Sequence, residues 1–339
     1  MKWIVLGAAV LAAALLWSGW WWFGSSAQVA AIENWLAERR QEGWQAEAAA
    51  VEAGGFPNRF DLRLIEPRLA DPDAGWAWSA PFLDILMLSY RPDRAVLAFP
   101  PEQSLAAPGA RATLRSEGMR ASLRLTPLPS LPLERMSLEA HAAALAGEGW
   151  TASARALAAH VAESGAPQAA ENAYDVYLGL ADFRPPEGVA EALRLPEGLP
   201  AALERLVLDG RATFRRPLDR RSLEERPPEL AALSVKSAEA VWGRLSLAAE
   251  GRLVADAEGF AEGELQVRAT GWREMLDAAV AAGAIGSNAA GLARTALGFM
   301  AAFGADRDAI EAPVSFSGGR TWIGPAAIAP APRLAPPER

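Results

Sequence analysis

The chain has 339 residues, a formal net charge of −8 and 51% hydrophobic residues, so it is long enough for a large core or two domains. The acidic balance argues against a nucleic-acid partner, because phosphate binding needs a concentrated basic surface. The absence of cysteine excludes disulfides, thiolate metal sites and catalysis by cysteine.

The first element along the chain is an apolar segment. Lys2 precedes a run without charged residues from Trp3 to Phe23. This run forms about 31 Å of α-helix, which matches the hydrocarbon core of a bilayer at about 30 Å. Trp3 at one end and the cluster Trp20-Trp21-Trp22-Phe23 at the other are typical of the two headgroup regions. The sequence therefore predicts a transmembrane anchor over residues 1–26.

The basic residues predict the orientation of this anchor. Lys2 and the α-amino group flank its N-terminal side, whereas Arg39 and Arg40 lie well beyond the other side. The positive-inside rule then places the N-terminus in the cytoplasm and the bulk of the chain in the periplasm, on a single pass through the inner membrane. The alternative is a cleaved signal peptide with Ser25-Ser26-Ala27 at the cleavage site, although the run exceeds the usual apolar region of about 7–15 residues.

The anchor is followed by a helix and then by a change to a period of two. Ala27 to Gln41 is predicted to be helical, able to continue the membrane helix, and Gly43 ends it. The segment Gly54-Gly55-Phe56-Pro57-Asn58 is a strong turn signal. Arg59 to Leu64 then alternates apolar and charged residues, which predicts a hairpin on a sheet with one solvated face.

The same alternation recurs along the rest of the chain and predicts a long antiparallel sheet. The further strand candidates are residues 75–80, 84–90, 94–99, 111–116, 119–126, 135–144, 149–161, 174–183, 206–214, 233–241, 245–253, 262–270 and 312–317. The alanine-rich part from Ser153 to Glu163 also permits a helix. The predicted fold is a β-rich α+β fold: an elongated, curved antiparallel sheet with a few packed helices, preceded by one transmembrane helix.

Proline and helix signals divide the predicted sheet. The proline-rich stretch 185–206, with a short helix over Ala201–Arg205, suggests a boundary between a β-rich half, 27–184, and a second half, 185–324. The second half carries two amphipathic helices that we expect to cover one face of the sheet, and residues 325–339 form an extended Pro/Ala-rich tail. The two helical stripes are Trp272, Met275, Leu276, Ala279 and Val280, and Leu292, Ala296, Phe299, Met300 and Phe303.

The sequence has few candidates for catalytic or metal-binding residues. His141 and His160 are the only histidines, and neither lies near a paired metal ligand in the sequence. Asp71 and Asp73 lie in turn-like sequence, where carboxylates usually bond their own backbone. No Gly-x-Ser-x-Gly elbow and no glycine-rich phosphate loop occurs. We therefore expect no enzymatic activity, no catalytic residue, no cofactor and no metal site.

Aromatic residues recur in or beside the predicted strands, and two interpretations of them stay open. They are Phe56, Trp76, Trp78, Phe82, Trp150, Trp242 and Trp322. Either they pack a core, or some of them line an apolar groove able to hold an acyl chain. A long sheet with few helices leaves apolar surface uncovered, and such surface normally has a binding role.

Several motifs are together similar to those of one bacterial family. They are Gly43-Trp44, Gly54-Gly55-Phe56-Pro57, Arg59-Phe60, Glu66-Pro67-Arg68-Leu69, Trp76-Ala77-Trp78-Ser79-Ala80-Pro81 and Trp242-Gly243-Arg244-Leu245. With the N-terminal anchor, they make the chain resemble the uncharacterised domain-of-unknown-function family DUF2125 over nearly all of its length beyond the anchor. The resemblance implies an envelope protein anchored in the inner membrane, and it carries over no catalytic residue.

The end of the chain is remotely similar to the end of AsmA-like envelope proteins, which implies lipid handling. The similarity lies in the order of strands, two helices, a final strand and the segment Gly319-Arg320-Thr321-Trp322-Ile323-Gly324-Pro325. We expect the motif residues to be structural, since turns require glycine and proline. They are Gly55, Phe56, Pro57, Arg59, Phe60, Trp76, Trp78, Pro81, Trp242, Gly243, Gly324 and Pro325.

Two functions fit these features. The first is a non-enzymatic, membrane-anchored periplasmic protein that binds or passes lipid or another amphiphile in the cell envelope. The alternative is an envelope scaffold or assembly factor that acts through protein contacts, at a sheet edge or through the proline-rich tail. The expected partners are thus the membrane, a lipid or other amphiphile, and envelope proteins.

Overall fold

The computed structural model describes residues 2–225, 227–302 and 306–335. Its first element is one continuous α-helix, α1, Lys2–Gln41, which is long and apolar enough to cross a membrane. Its 40 residues give about 60 Å of helix, twice the thickness of a bilayer core. The apolar run and the helix expected over Ala27–Gln41 are therefore parts of one element.

Beyond α1 the chain is mostly strand, as predicted, and nineteen strands are described. Their bounds are β1 Gln45–Glu47, β2 Ala50–Gly54, β3 Arg59–Ile65, β4 Arg68–Asp71, β5 Trp76–Ser79, β6 Phe82–Leu88, β7 Arg91–Ala98, β8 Glu102–Ala107, β9 Ala110–Leu125, β10 Leu133–Gly147, β11 Trp150–Glu163, β12 Ala173–Phe183, β13 Leu203–Phe214, β14 Leu230–Trp242, β15 Leu245–Ala255, β16 Ala261–Thr270, β17 Ala309–Ser317, β18 Arg320–Ile323 and β19 Ala326–Pro330.

The first eight strands behave as four long strands, each with a bend. β2 pairs with β3 while β1 pairs with β4, and the next partners follow the same scheme: β3 with β6, β4 with β5, β6 with β7, and β5 with β8. Pro67, Pro81 and Pro100 stand at three of the bends, where a residue without an N–H interrupts the ladder. β7 and β8 then both pair with β9.

From β9 onward each strand pairs with the next one in the chain, so the sheet is an antiparallel meander. The prediction of two separate strands over residues 111–116 and 119–126 was wrong, because both ranges belong to one strand. Gly118 lies inside the sixteen-residue strand β9, at φ +60°, beside register shifts in the β9–β10 pairing. A β-bulge lets a strand continue past such a residue. Ser153 to Glu163, which also permitted a helix, is part of strand β11.

The sheet continues across the expected boundary at residue 185. β12 and β13 flank the proline-rich stretch and pair with each other from Ala173–Thr213 to Phe183–Leu203. The helix expected over Ala201–Arg205 is not formed, because Leu203 begins β13 and the ladder takes its backbone groups. The short helix of this connection is α2, Val189–Ala192, and a second short helix, α3, Arg221–Glu224, follows β13. Within the expected tail, β19 is extended and paired with β18.

The two predicted amphipathic helices are present between β16 and β17. They are α4, Trp272–Ala281, and α5, Ser287–Ala302; the stripe residue Phe303 lies outside the described residues. α5 contacts β17 and β19. A buried apolar cluster joins the helices to the last strands of the sheet: Ala269, Trp272, Leu276, Ala290, Ala293, Leu297, Ala301, Ile310, Ala312, Ile323, Ala326 and Ile328. This cluster fixes both helices on one face of the sheet.

Candidate functional site

The anchor helix is joined to the first hairpin of the sheet by two indole hydrogen bonds. Trp17 donates its Nε1–H to the carbonyl oxygen of Pro57 at 2.7 Å, and Trp21 donates to the carbonyl oxygen of Arg59 at 2.6 Å. These carbonyls lie at the β2–β3 turn. The turn therefore lies beside the tryptophan cluster, which the sequence pattern predicts to lie at a headgroup region.

Aromatic packing reinforces this junction. Trp20 lies against Phe60 with ring centroids 5.5 Å apart, and Trp21 meets Phe56 edge to face at 5.3 Å. A Cβ on Gly24 would stand only 2.5 Å from the ring of Phe60, so the helix approaches the sheet closely because this residue has no side chain. Four of the motif residues, Phe56, Pro57, Arg59 and Phe60, thus form the contact with the anchor helix.

The other end of α1 is held by a buried charge. Arg39 is only 4% exposed, pairs with Glu42 at 2.6 Å and donates to the carbonyl oxygen of Glu224 at 3.2 Å. Its guanidinium also lies 5.9 Å from the ring centroids of Trp35 and Trp44. The part of α1 from Trp17 to Arg39 therefore contacts the rest of the chain at both of its ends.

The remaining motif residues lie in strands and in the turns beside them. Trp76 packs edge to face on Trp44, and Trp78 donates its indole N–H to Gln103 Oε1 at 3.0 Å. Trp242 donates to the carbonyl oxygen of Pro200 at 2.6 Å, and the neighbouring Gly243 N–H bonds Glu204. The others stand at a strand bend, Pro81, and in the β18–β19 turn, Gly324 and Pro325.

A second feature results from the strand register and lies on one face of the middle of the sheet. Cross-strand neighbours on β10 to β15 form two parallel rows of apolar side chains, which we call the apolar strip. The rows are Leu138, Ala159, Leu178, Leu208, Ala238 and Ala249, and Ala140, Leu157, Leu180, Leu206, Ala240 and Leu247. Six strands at about 4.8 Å spacing make the strip about 24 Å long.

The apolar strip is uncovered in its middle. Leu178 is 43% exposed and Leu247 is 40% exposed, and both line a shallow groove of about 290 Å³ together with Leu206 and Leu208. By contrast, Leu62 beneath α1 is 2% exposed. Within the described part of the chain, helices cover the sheet at its two ends and leave this stretch open.

The strip connects the two covered ends without a break. From Leu138 its first row continues through Ala121, Leu97 and Ile85 to Leu62 under α1. In the other direction it continues from Ala249 through Val267 to Ala312 in the cluster under α4 and α5. One apolar path therefore runs from the anchor helix to the C-terminal helices.

The opposite face of the same strands carries ion pairs. Asp175 pairs with Arg211 at 2.8 Å, and Arg205 pairs with Glu239 at 3.3 Å. The hydrogen bond from Arg211 lowers the pKa of Asp175 below its usual value, as Arg268 does for the pKa of Glu311 on β17. The sheet is thus amphipathic, with a charged face held by cross-strand pairs and an apolar face without helices over its middle.

The two histidines lie apart from the strip. His160 stacks near Tyr177 on the charged face, with ring centroids 5.6 Å apart, and His141 is exposed at the β9–β10 irregularity. Among the residues that the structure describes, no group of three His, Asp or Glu side chains is arranged to hold a metal ion.

Sequence reasoning placed most of the strip residues in strands but missed the strip itself. Period-two alternation assigns each of them to one face of its own strand. Which residues stand side by side depends on register across six strands, including bulges on β13 and β14, and no local signal gives that register.

Comparison with known proteins identifies one family. Residues 20–332 match the family described as "Uncharacterized protein conserved in bacteria (DUF2125)". Neither the curated proteins nor the solved structures give a significant match, and the similarity to AsmA-like proteins is not shown. The match includes the tryptophan cluster, the β2–β3 turn, the strip and both C-terminal helices. The chain therefore belongs to the DUF2125 family.

Proposed function

We propose that this chain is a single-pass, non-enzymatic membrane protein whose sheet binds or passes lipid or another amphiphile along the apolar strip. In this proposal the N-terminus is cytoplasmic and the sheet is periplasmic, held at the inner membrane by α1. The observation that carries it is the continuity of the apolar row from Leu62 under the anchor helix to Leu178 in the uncovered middle.

The dimensions of the strip suit an acyl chain. One leaflet of the hydrocarbon core is about 15 Å thick, and the uncovered rows extend about 24 Å. Leucine and alanine side chains supply contacts without polar groups that would have to be desolvated. An occupant would also cover apolar surface that a monomer otherwise leaves in water.

The charges support a binding rather than a catalytic role. The pKa values of Asp175 and Glu311 are lowered by arginine partners, which keeps these carboxylates ionised near neutral pH. A general acid or base works best with a pKa near the working pH. These two carboxylates therefore serve as ion-pair partners on the charged face.

The proposal is tested with two neighbouring positions on one strand. Leu178 lies on the strip at 43% exposure, and Tyr177 lies on the charged face at 37% exposure. Full-length Leu178→Gln and Tyr177→Gln variants are isolated in native membrane discs and stripped of surrounding lipid by exchange into detergent. Organic extraction and mass spectrometry then measure the retained amphiphile. We expect Leu178→Gln to lose several-fold more than Tyr177→Gln; equal retention by both would count against the strip.

A second candidate, an envelope scaffold, is favoured by the outer side of α5. Leu292 and Phe299 are both exposed and stand seven residues apart, so they share one side of the helix. Crosslinking from position 292 in cells should recover one specific envelope protein if this role is correct. Recovery of abundant proteins alone would argue against it.

A further inference from the structure

Three arginines stand directly opposite one another on neighbouring strands of the charged face. Arg94 on β7 is the cross-strand partner of Arg124 on β9, and Arg124 is the partner of Arg135 on β10. Like charges directly opposite each other destabilise a sheet. We call these three residues the arginine row. In a chain of net charge −8, its presence is not explained by the stability of the fold.

The carboxylates near the arginine row do not neutralise it fully. Arg94 lies 3.4 Å from Asp93, and Arg124 lies 2.8 Å from Glu134. Within the described part of the chain, Arg135 has no ion-pair partner. The row therefore keeps an uncompensated guanidinium that can receive an anion.

The arginine row borders an apolar floor. A groove of about 450 Å³ is lined by the row, by the Arg59 side chain, and by apolar residues of β6 and β7 that include Leu86, Leu88 and Val96. Leu88 and Val96 are exposed. Guanidinium groups beside uncovered leucine and valine match a ligand with an anionic group and an apolar body.

The groove lies next to the membrane junction. The backbone carbonyl of Arg59 accepts the indole N–H of Trp21, while the Arg59 side chain lines the groove. Phe56 and Tyr90 are exposed at the two adjoining turns, which are joined by the bond from Ser89 N–H to the Asn58 carbonyl at 3.0 Å. The groove is therefore close to the level of the tryptophan cluster.

From these observations we infer that the arginine row binds the phosphate of an anionic phospholipid headgroup, with Leu88 and Val96 contacting its apolar part. The inference rests on the membrane attachment in the proposed function but not on the apolar strip, which lies on the other face. A planar guanidinium can donate two parallel hydrogen bonds to two oxygens of one phosphate. The negative charge of the bound phosphate would offset the repulsion among the arginines of the row. The ligand would hold the sheet at a fixed position against the membrane surface.

Native mass spectrometry of the full-length protein in detergent tests this inference. The probes are phosphatidylglycerol, phosphatidylcholine with the same chains, and inorganic phosphate. We expect wild type to prefer phosphatidylglycerol over phosphatidylcholine by about tenfold. Arg94→Gln/Arg124→Gln should abolish this preference. Arg205→Gln, which removes an ion-paired arginine elsewhere on the charged face, should keep it.

A second variant distinguishes loss of binding from loss of folding. Arg135→Gln removes no ion pair with any residue that the structure describes, so it should weaken the lipid preference while its unfolding temperature stays at or above that of wild type. Retention of the preference by the double variant, or competition by inorganic phosphate at equal concentration, would overturn the inference. Leu178→Gln should leave the preference for phosphatidylglycerol intact. The experiments therefore distinguish a wrong proposal for the apolar strip from a wrong inference for the arginine row.

Discussion

The indole N–H of Trp21 donates a hydrogen bond to the carbonyl oxygen of Arg59 across a distance of 2.6 Å. Trp21 belongs to the predicted membrane anchor and Arg59 begins the strand β3. Together with the bond from Trp17 to the Pro57 carbonyl, this bond connects the predicted anchor to the sheet, and the aromatic contacts of Phe56 and Phe60 surround it. The orientation of the sheet on its anchor follows from this contact.

Trp21→Phe should weaken the junction while keeping its aromatic packing. The variant loses the donor to the Arg59 carbonyl, and a lost hydrogen bond of this kind costs about 0.5–1.5 kcal/mol. Trp22→Phe is the matched control, because Trp22 is exposed on the next position of the helix. The unfolding midpoints of both variants are measured by thermal unfolding of the detergent-solubilised chain. Equal midpoints would mean that the Trp21 hydrogen bond does not contribute to stability.

Gly24→Ala should separate the helix from the sheet. The new Cβ would stand 2.5 Å from the ring of Phe60, which is itself buried and has little room to move. Overpacking of this kind costs about 1–3 kcal/mol. Gly19→Ala is the control, since nothing lies within 4 Å of the Cβ built there. Hydrogen exchange of β3 should rise in the first variant only, and protection equal to wild type would contradict the close approach.

Arg39→Met should loosen the C-terminal end of α1. The change removes the partner of Glu42 and the donor to the Glu224 carbonyl, and the loss of one such hydrogen bond costs about 0.5–1.5 kcal/mol. Limited proteolysis near residues 41–44 should accelerate. Arg68→Met, at an exposed residue whose carboxylate partner is 3.7 Å away, should change the cleavage rate little. Similar rates for the two variants would refute the role given to Arg39.

Acid should remove the contribution of the Asp175–Arg211 pair. The pKa of Asp175 is lowered mainly by the hydrogen bond from Arg211, so its folded value lies below the unfolded value of about 3.9. The pair therefore stabilises the fold above that unfolded pKa, and this contribution is lost as the pH falls through the folded pKa. Wild type should be more stable than Asp175→Asn at pH 7, and the difference should narrow below about pH 4. A difference independent of pH would contradict this linkage.

Local sequence patterns predicted those strands and helices whose formation depends on neighbouring residues in the chain. The alternation of Phe60, Leu62 and Leu64 with charged neighbours predicted β3, and the stripe beginning at Trp272 predicted α4. Each pattern follows from the geometry of one strand or one helix. The sequence also predicted the long apolar N-terminal helix and its continuation to Gln41.

The prediction failed where long-range pairing overrides a local signal. Gly118 is a turn signal by composition, yet β9 runs through it because both neighbouring strands supply hydrogen bonds. Leu203 was expected in a helix, but it pairs with Phe183 across the proline-rich connection. The strip and the arginine row have the same origin, since Leu178 and Leu208, or Arg94 and Arg124, are neighbours only through register.

The most direct test of lipid handling by the strip is photo-crosslinking in intact cells. A photoreactive amino acid is placed at position 178 on the strip, or at position 177 on the charged face of the same strand. Mass spectrometry of the purified full-length chain then identifies the adducts. Lipid adducts at 178 with few at 177 are the predicted result. Equal lipid labelling at both positions, or only protein adducts at 178, would contradict the account.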